Sequence, residues 1–250
     1  MNENNKDILI KCFHAIEATS LNHTDNENVI KNFVDKINDL NQFHHISGIC
    51  VYPNMVKIVK ENIDSSIKIV AVAGGFPSSQ TFLDIKMKEV ELCIENGANE
   101  IDIVLSVGKY LNQEYEFVKN EIQQIKKICK NITLKVIIES GTLQNEKDIY
   151  NASMLAMQAG ADFIKTSTGK TSPAATPAAA KIMCKAIKDF YEQTNKMIGF
   201  KAAGGIVNKE DALCYFSIVN EILGEKWIKN ELFRIGASRL IDNLWNEIKC

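Results

Sequence analysis

Seven short runs rich in valine and isoleucine, most of them followed by a longer stretch with apolar residues at three- and four-residue spacings, constrain this chain most. The runs are HHISGICVY ending at Tyr52, IKIVAVAGGF ending at Phe76, EIDIVL ending at Leu105, TLKVIIES ending at Ser140, DFIKTS ending at Ser167, MIGFKAAGG ending at Gly205 and LFRIG ending at Gly236. They lack strict polar alternation, as parallel strands covered on both faces do. The stretches at 82–94, 115–129, 149–159, 178–191 and 211–227 read as helices. In the first of these, Phe82, Ile85, Val90 and Ile94 form the expected inward face, with Lys86, Lys88 and Glu91 mostly outside. Gly97 and Gly160 stand where helices should stop before the next strand. A weaker run at 15–19, before a helix around 29–40, supplies an eighth strand. Eight βα units in 250 residues point to an α/β fold, a (β/α)8 TIM barrel, with a doubly wound open sheet as the alternative. No linker divides the chain, so residues 1–250 are expected to form a single domain with a short N-terminal helical extension, residues 1–7 being a disordered start.

Composition excludes several classes of function. Net charge is −2, with 29 basic and 31 acidic residues spread along the chain, so neither a nucleic-acid footprint nor a polybasic membrane patch is indicated. No apolar run approaches membrane-span length, and the polar start MNENNKD does not read as a signal peptide. Seven scattered cysteines without a C-x-x-C pair argue against a zinc site or disulfide framework and for a reducing, cytoplasmic setting. The four histidines all lie in the first fifth of the chain, which leaves few candidates for a histidine-based mechanism.

Four charges interrupt strands that should be apolar: Asp102, Lys135, Lys165 and Lys201. If the run at 15–19 is the first strand, they fall on strands four to seven, which are neighbours in a barrel and let the side chains converge. Clustered ammonium groups raise the cost of charging one another, so at least one amine is expected to titrate nearer neutrality. A neutral amine condenses with an aldehyde or ketone, and a carboxylate can move the protons that the condensation requires. The pattern therefore suggests Schiff-base chemistry, without ranking the three lysines. A purely structural set of interior salt bridges is the competing reading.

A second signal concerns phosphate. Ala203-Gly204-Gly205 follows the seventh strand, Gly236-Ala237-Ser238 follows the eighth and opens the last helix, and Gly169-Lys170 lies just after the sixth. Bare backbone N–H groups at this end of a barrel commonly hold phosphate.

From about Glu17 to Leu240 the chain resembles the deoxyribose-phosphate aldolase family. The resemblance is carried by DFIKTSTGK at 162–170, KVIIE from Lys135, GFKAAGG from Gly199, ICVYP from Ile49 and EIDIV from Glu100. It implies reversible cleavage of 2-deoxy-D-ribose 5-phosphate into D-glyceraldehyde 3-phosphate and acetaldehyde, with no metal or organic cofactor. It also implies that Lys165 forms the Schiff base, that Lys201 perturbs it and that Asp102 relays protons. Cys50, Lys135, Thr168, Gly169, Lys170, Gly204, Gly205, Gly236 and Ser238 would lie around the substrate. The chain departs from the family pattern at Glu17, where relatives carry a shorter acid, at Val207, which replaces a cation, and at Arg239, which replaces a serine and would compensate at the phosphate. Some members end in a tail with a catalytic tyrosine, whereas this chain reads Lys249-Cys250, which implies lower turnover. A homodimer or homotetramer is compatible with the family. The alternatives are another Schiff-base phosphosugar aldolase or a non-catalytic phosphosugar-binding barrel.

Overall fold

The computed structural model describes residues 3–143 and 145–249; Met1, Asn2, Gln144 and Cys250 lie outside them. The chain opens with α1 (Glu3–His14), then β1 (Ile16–Thr19), α2 (Glu27–Asn41), β2 (Gly48–Val51), α3 (Val56–Asn62) and β3 (Lys68–Ala73). It continues through α4 (Leu83–Glu95), β4 (Glu100–Val104), α5 (Val107–Leu111), α6 (Tyr115–Cys129), β5 (Thr133–Ile137) and α7 (Glu146–Gln158). The last third runs through β6 (Phe163–Lys165), α8 (Pro177–Thr194), β7 (Gly199–Ala203), α9 (Lys209–Leu223), β8 (Phe233–Ala237) and α10 (Leu240–Lys249). All eight strands pair in parallel and in sequence order, and β1 pairs with β8 to close the barrel. The weak run at 15–19 is thus a full barrel strand. Glu3–Asp7, within the stretch expected to be disordered, belong to α1, whose Leu9, Cys12 and Phe13 are buried.

Local chemistry explains the element boundaries. Asn26, Asn145, Thr176 and Asn208 each accept a backbone N–H from the first turn of the helix they precede. Asp211 completes a reciprocal capping box with Asn208. Gly97 and Gly160, both at φ +106°, end α4 and α7 where the turn back to a strand needs a left-handed residue. The apolar outward side chains of the strands and the inward faces of the helices form one continuous core.

One helix face differs from expectation. At the start of α4, Phe82, which precedes the helix, and Ile85 are 81% and 57% exposed, while Lys86 is buried. Lys86 Nζ meets Glu121 of α6 at 2.8 Å and also donates to the hydroxyls of Ser79 and Ser106. The buried positions are Lys86, Val90 and Cys93, a stripe set by packing against α6. An interhelical ion pair satisfied by two hydroxyls let a lysine take a place that hydropathy gave to its neighbours.

The barrel interior is where the fold departs from an ordinary core. It holds a small apolar cluster of Leu21, Cys50, Val70 and Val72, separate from the main core. Much of the rest is charge: Glu17, Glu100, Asp102, Lys135, Lys165, Lys201 and Arg234 are all buried. Phe163 fills part of the space among them, its ring facing Lys135 and Arg234 at 5.9 and 5.7 Å.

Candidate active site

Parallel register places the charged groups side by side. Asp102 pairs with Lys135, Lys165 with Lys201, and Lys201 with Arg234 on successive strands. Asp102 sits at the centre. Its Oδ2 accepts from Lys165 Nζ and Lys201 Nζ, each at 2.8 Å, and its Oδ1 accepts from Lys135 Nζ at 3.0 Å. The four residues that the strand pattern singled out therefore converge as expected.

Three further groups complete the network. Glu17 accepts from Lys201 and, at 3.0 Å, from Arg234, and lies 3.3 Å from Lys135. Glu100 binds Lys135 at 2.6 Å and Arg234 at 3.1 Å. Glu100 and Arg234 escaped the sequence reading although they break apolar strands as the lysines do. The signal was present in EIDIVL and LFRIG, where both charges sit beside the residues that were noticed.

These partners change the electrostatics. Burial alone works to lower the Lys135 and Lys201 amines, but Asp102 with Glu100 and Glu17 raises Lys135, and Asp102 with Glu17 raises Lys201. Both are held protonated, so neither is the amine that the sequence expected crowding to bring toward neutrality. Burial raises the Asp102 carboxyl, yet Lys135, Lys165 and Lys201 together hold it well below the usual carboxylate range. Burial likewise opposes ionisation of Glu17, but Lys135 and Lys201 outweigh it and bring the group down to about 2. Burial pushes the neighbouring Cys50 thiol up to about 11. Glu17, Cys50 and Asp102 place ligand-capable atoms within 4.8 Å of one another. The positive charge at that point is already supplied by Lys201, which donates to both carboxylates.

Above the network opens a cavity of about 170 Å³ at the C-terminal mouth of the barrel. Lys165 enters its wall together with Thr168, Gly169, Lys170, Gly204, Gly205, Gly236, Ser238 and Arg239, nine of the residues singled out in the sequence. Val207 also lines it. Asp102 and Lys201 lie beneath, fully buried. So do Glu17, Cys50 and Lys135, which the sequence reading set against the substrate; their carboxylate, thiol and amine are turned into the charged network instead.

The mouth is built tightly. Gly204, at φ +91°, packs on Gly169, and a Cβ there would come within 2.7 Å of Ala174. Thr168 donates its N–H and hydroxyl to Glu139 at 3.0 and 2.6 Å, and Lys170 donates its N–H to the Thr168 hydroxyl at 3.0 Å. Glu139 has a left-handed backbone at φ +49°, two residues after β5. Its role was not legible in KVIIE, because a carboxylate after a strand carries no mark of the loop it holds. Lys170 Nζ donates across the mouth to the carbonyl of Leu21, after β1.

An amine and carboxylate centre beneath a glycine-lined mouth of a closed (β/α)8 barrel defines a class of lysine-centred barrel. Residues 12–215 match the model of the DeoC/LacD family aldolases, and the chain belongs to that family. A putative deoxyribose-phosphate aldolase from Caenorhabditis elegans is 42% identical over 97% of this chain and 82% of its own length. The human deoxyribose-phosphate aldolase is 44% identical over 81% of this chain, and the match spans 64% of the human protein. A solved aldolase, QR15, superposes with a TM-score of 0.80 at 29% identity, over all of this chain and 97% of the other. Among the described residues no helix is long and apolar enough to cross a membrane.

Proposed function

We propose that this chain is a class I aldolase that reversibly cleaves 2-deoxy-D-ribose 5-phosphate to D-glyceraldehyde 3-phosphate and acetaldehyde through a Schiff base on Lys165. The observation that carries the proposal is selective exposure: of the three lysines inside the barrel, Lys165 is the one in the cavity wall, and that wall continues into Gly204, Gly205, Ser238 and Arg239. The names of the relatives support the choice of substrate.

The chemistry follows from the contacts. Lys165 Nζ adds to the C1 aldehyde, and the carbinolamine loses water to give an iminium ion. The C3 hydroxyl gives up a proton, the C2–C3 bond breaks and its electrons flow into the iminium, leaving an enamine and releasing glyceraldehyde 3-phosphate. Protonation at C2 and hydrolysis return the amine and release acetaldehyde. Asp102, which touches both Lys165 and Lys201, passes protons between the reacting nitrogen, Lys201 and water. The phosphate lies against the backbone N–H groups of Gly204, Gly205 and Gly236, with Ser238 and Arg239 at the start of α10; Arg239 provides there the cation that Val207 does not.

Borohydride reduction in the presence of deoxyribose 5-phosphate, followed by peptide mass mapping, tests the reading. A single adduct on Lys165 is expected, and Lys165→Leu should abolish both adduct and turnover. An adduct on Lys135 or Lys201, or phosphosugar binding without any reducible adduct, would overturn it.

A further inference from the structure

Seven of the eight strands send an ionisable group into the barrel interior. Glu17 comes from β1, Cys50 from β2, Glu100 and Asp102 from β4, and Lys135, Lys165, Lys201 and Arg234 from β5, β6, β7 and β8. The strand β3 contributes Val70 and Val72. Cys50 stays a neutral thiol, since burial pushes it up to about 11. Among the described residues the ionised interior therefore holds four cations against three carboxylates, one positive charge in excess.

The excess is not shared evenly. Arg234 cannot lose its proton in a protein. Lys135 lies against Glu17, Glu100 and Asp102, and Lys201 against Glu17 and Asp102. Lys165 has one carboxylate contact, Asp102 Oδ2, and shares it with Lys201. Burying an uncompensated charge is costly, so the imbalance bears most heavily on the least compensated amine. That amine is also the one in the cavity wall.

We infer that Arg234 and Glu100, neither of which lines the cavity, are positioning residues that set the charge count of the barrel and so select Lys165 as the amine free to attack. The inference rests on the Schiff-base reading and adds to it two residues that act through Glu17 and Lys135.

The test is the pH dependence of kcat/KM for deoxyribose 5-phosphate cleavage. Arg234→Met removes the excess cation, and the acid limb of the profile should move to higher pH by about one unit, the size expected for one charge at this range in a partly polarisable interior. Glu100→Gln, nearly isosteric, raises the excess to two, and the limb should move by about one unit to lower pH. The double variant should return to the native profile. General structural damage would lower kcat in both single variants without displacing the limbs in opposite directions. If Arg234→Met does not fold, Glu100→Gln decides alone: an unmoved limb overturns the inference. Borohydride trapping on the native protein separates the two levels. An adduct on Lys165 with unmoved limbs sinks the charge-count inference and leaves the Schiff-base reading standing, whereas no adduct sinks both.

Discussion

Lys201 shows how differently one residue reads in sequence and in space. In the sequence it is a lysine crowding another lysine; in the barrel it bridges two buried carboxylates, Glu17 and Asp102. Removing it leaves two anions short of a partner and, on the proposed mechanism, takes a proton carrier from the reaction. Lys201→Leu should therefore lower kcat roughly 10²–10⁴-fold, the usual range for loss of an acid–base group. It should also destabilise the fold by about 3–5 kcal/mol, the typical cost of breaking a buried pair from one side. Steady-state kinetics combined with urea denaturation reads both effects, and near-native values in both would contradict the network described above. The residues legible in sequence were those that violated an apolar strand conspicuously. Glu100 and Arg234 violated it as plainly, but each stands near the start of its run, where a charge passes for a solvated strand end.

Elements bring such residues into register, and β6 and β7 do so most tightly. Gly199, the first residue of β7, faces the Phe163 ring of β6, and a Cβ at that position would lie 2.3 Å from the ring. The interior has room for one bulky group at this level, and Phe163 occupies it. Gly199→Ala must push the ring or the strand aside, two residues from Lys201. We expect a loss of about 1–3 kcal/mol, the usual cost of overpacking, together with a fall in kcat. Phe163→Leu in the same chain should restore part of the stability, as measured by thermal denaturation; no rescue would mean that the clash is relieved elsewhere. Seven strands could be read from their apolar runs, whereas β1, with Ile16 as its one large apolar residue, gave only a weak signal. The burial of α4 could not be read, because Lys86 enters the core through a partnership with Glu121, distant in sequence, that hydropathy does not encode.

The whole molecule inherits a pH signature from its interior. Glu17 titrates near 2 in the folded chain against 4.5 for an ordinary glutamate, and Asp102 is lowered as well. A carboxylate depressed on folding stabilises the protein above its unfolded value, and that contribution disappears as pH falls through the folded one. For Glu17 the shift corresponds to stability on the order of 3 kcal/mol, lost between about pH 4.5 and 2. Lys135 and Lys201 are shifted the other way, so their contribution is complete below 10.5 and fades as pH rises beyond it. Urea midpoints measured against pH should show a broad plateau with falls at both ends. A midpoint that keeps rising below pH 4 would contradict the assignment of buried, ionised carboxylates.

The clasp of Lys170 on the Leu21 carbonyl, with Glu139 gripping Thr168, means that folding itself shapes the rim of the pocket. A ligand then meets a receptor whose walls are already set, and little of its binding energy goes into arranging them. On the proposed function, selection among phosphosugars then rests on fit and charge at a rim that these contacts have already placed.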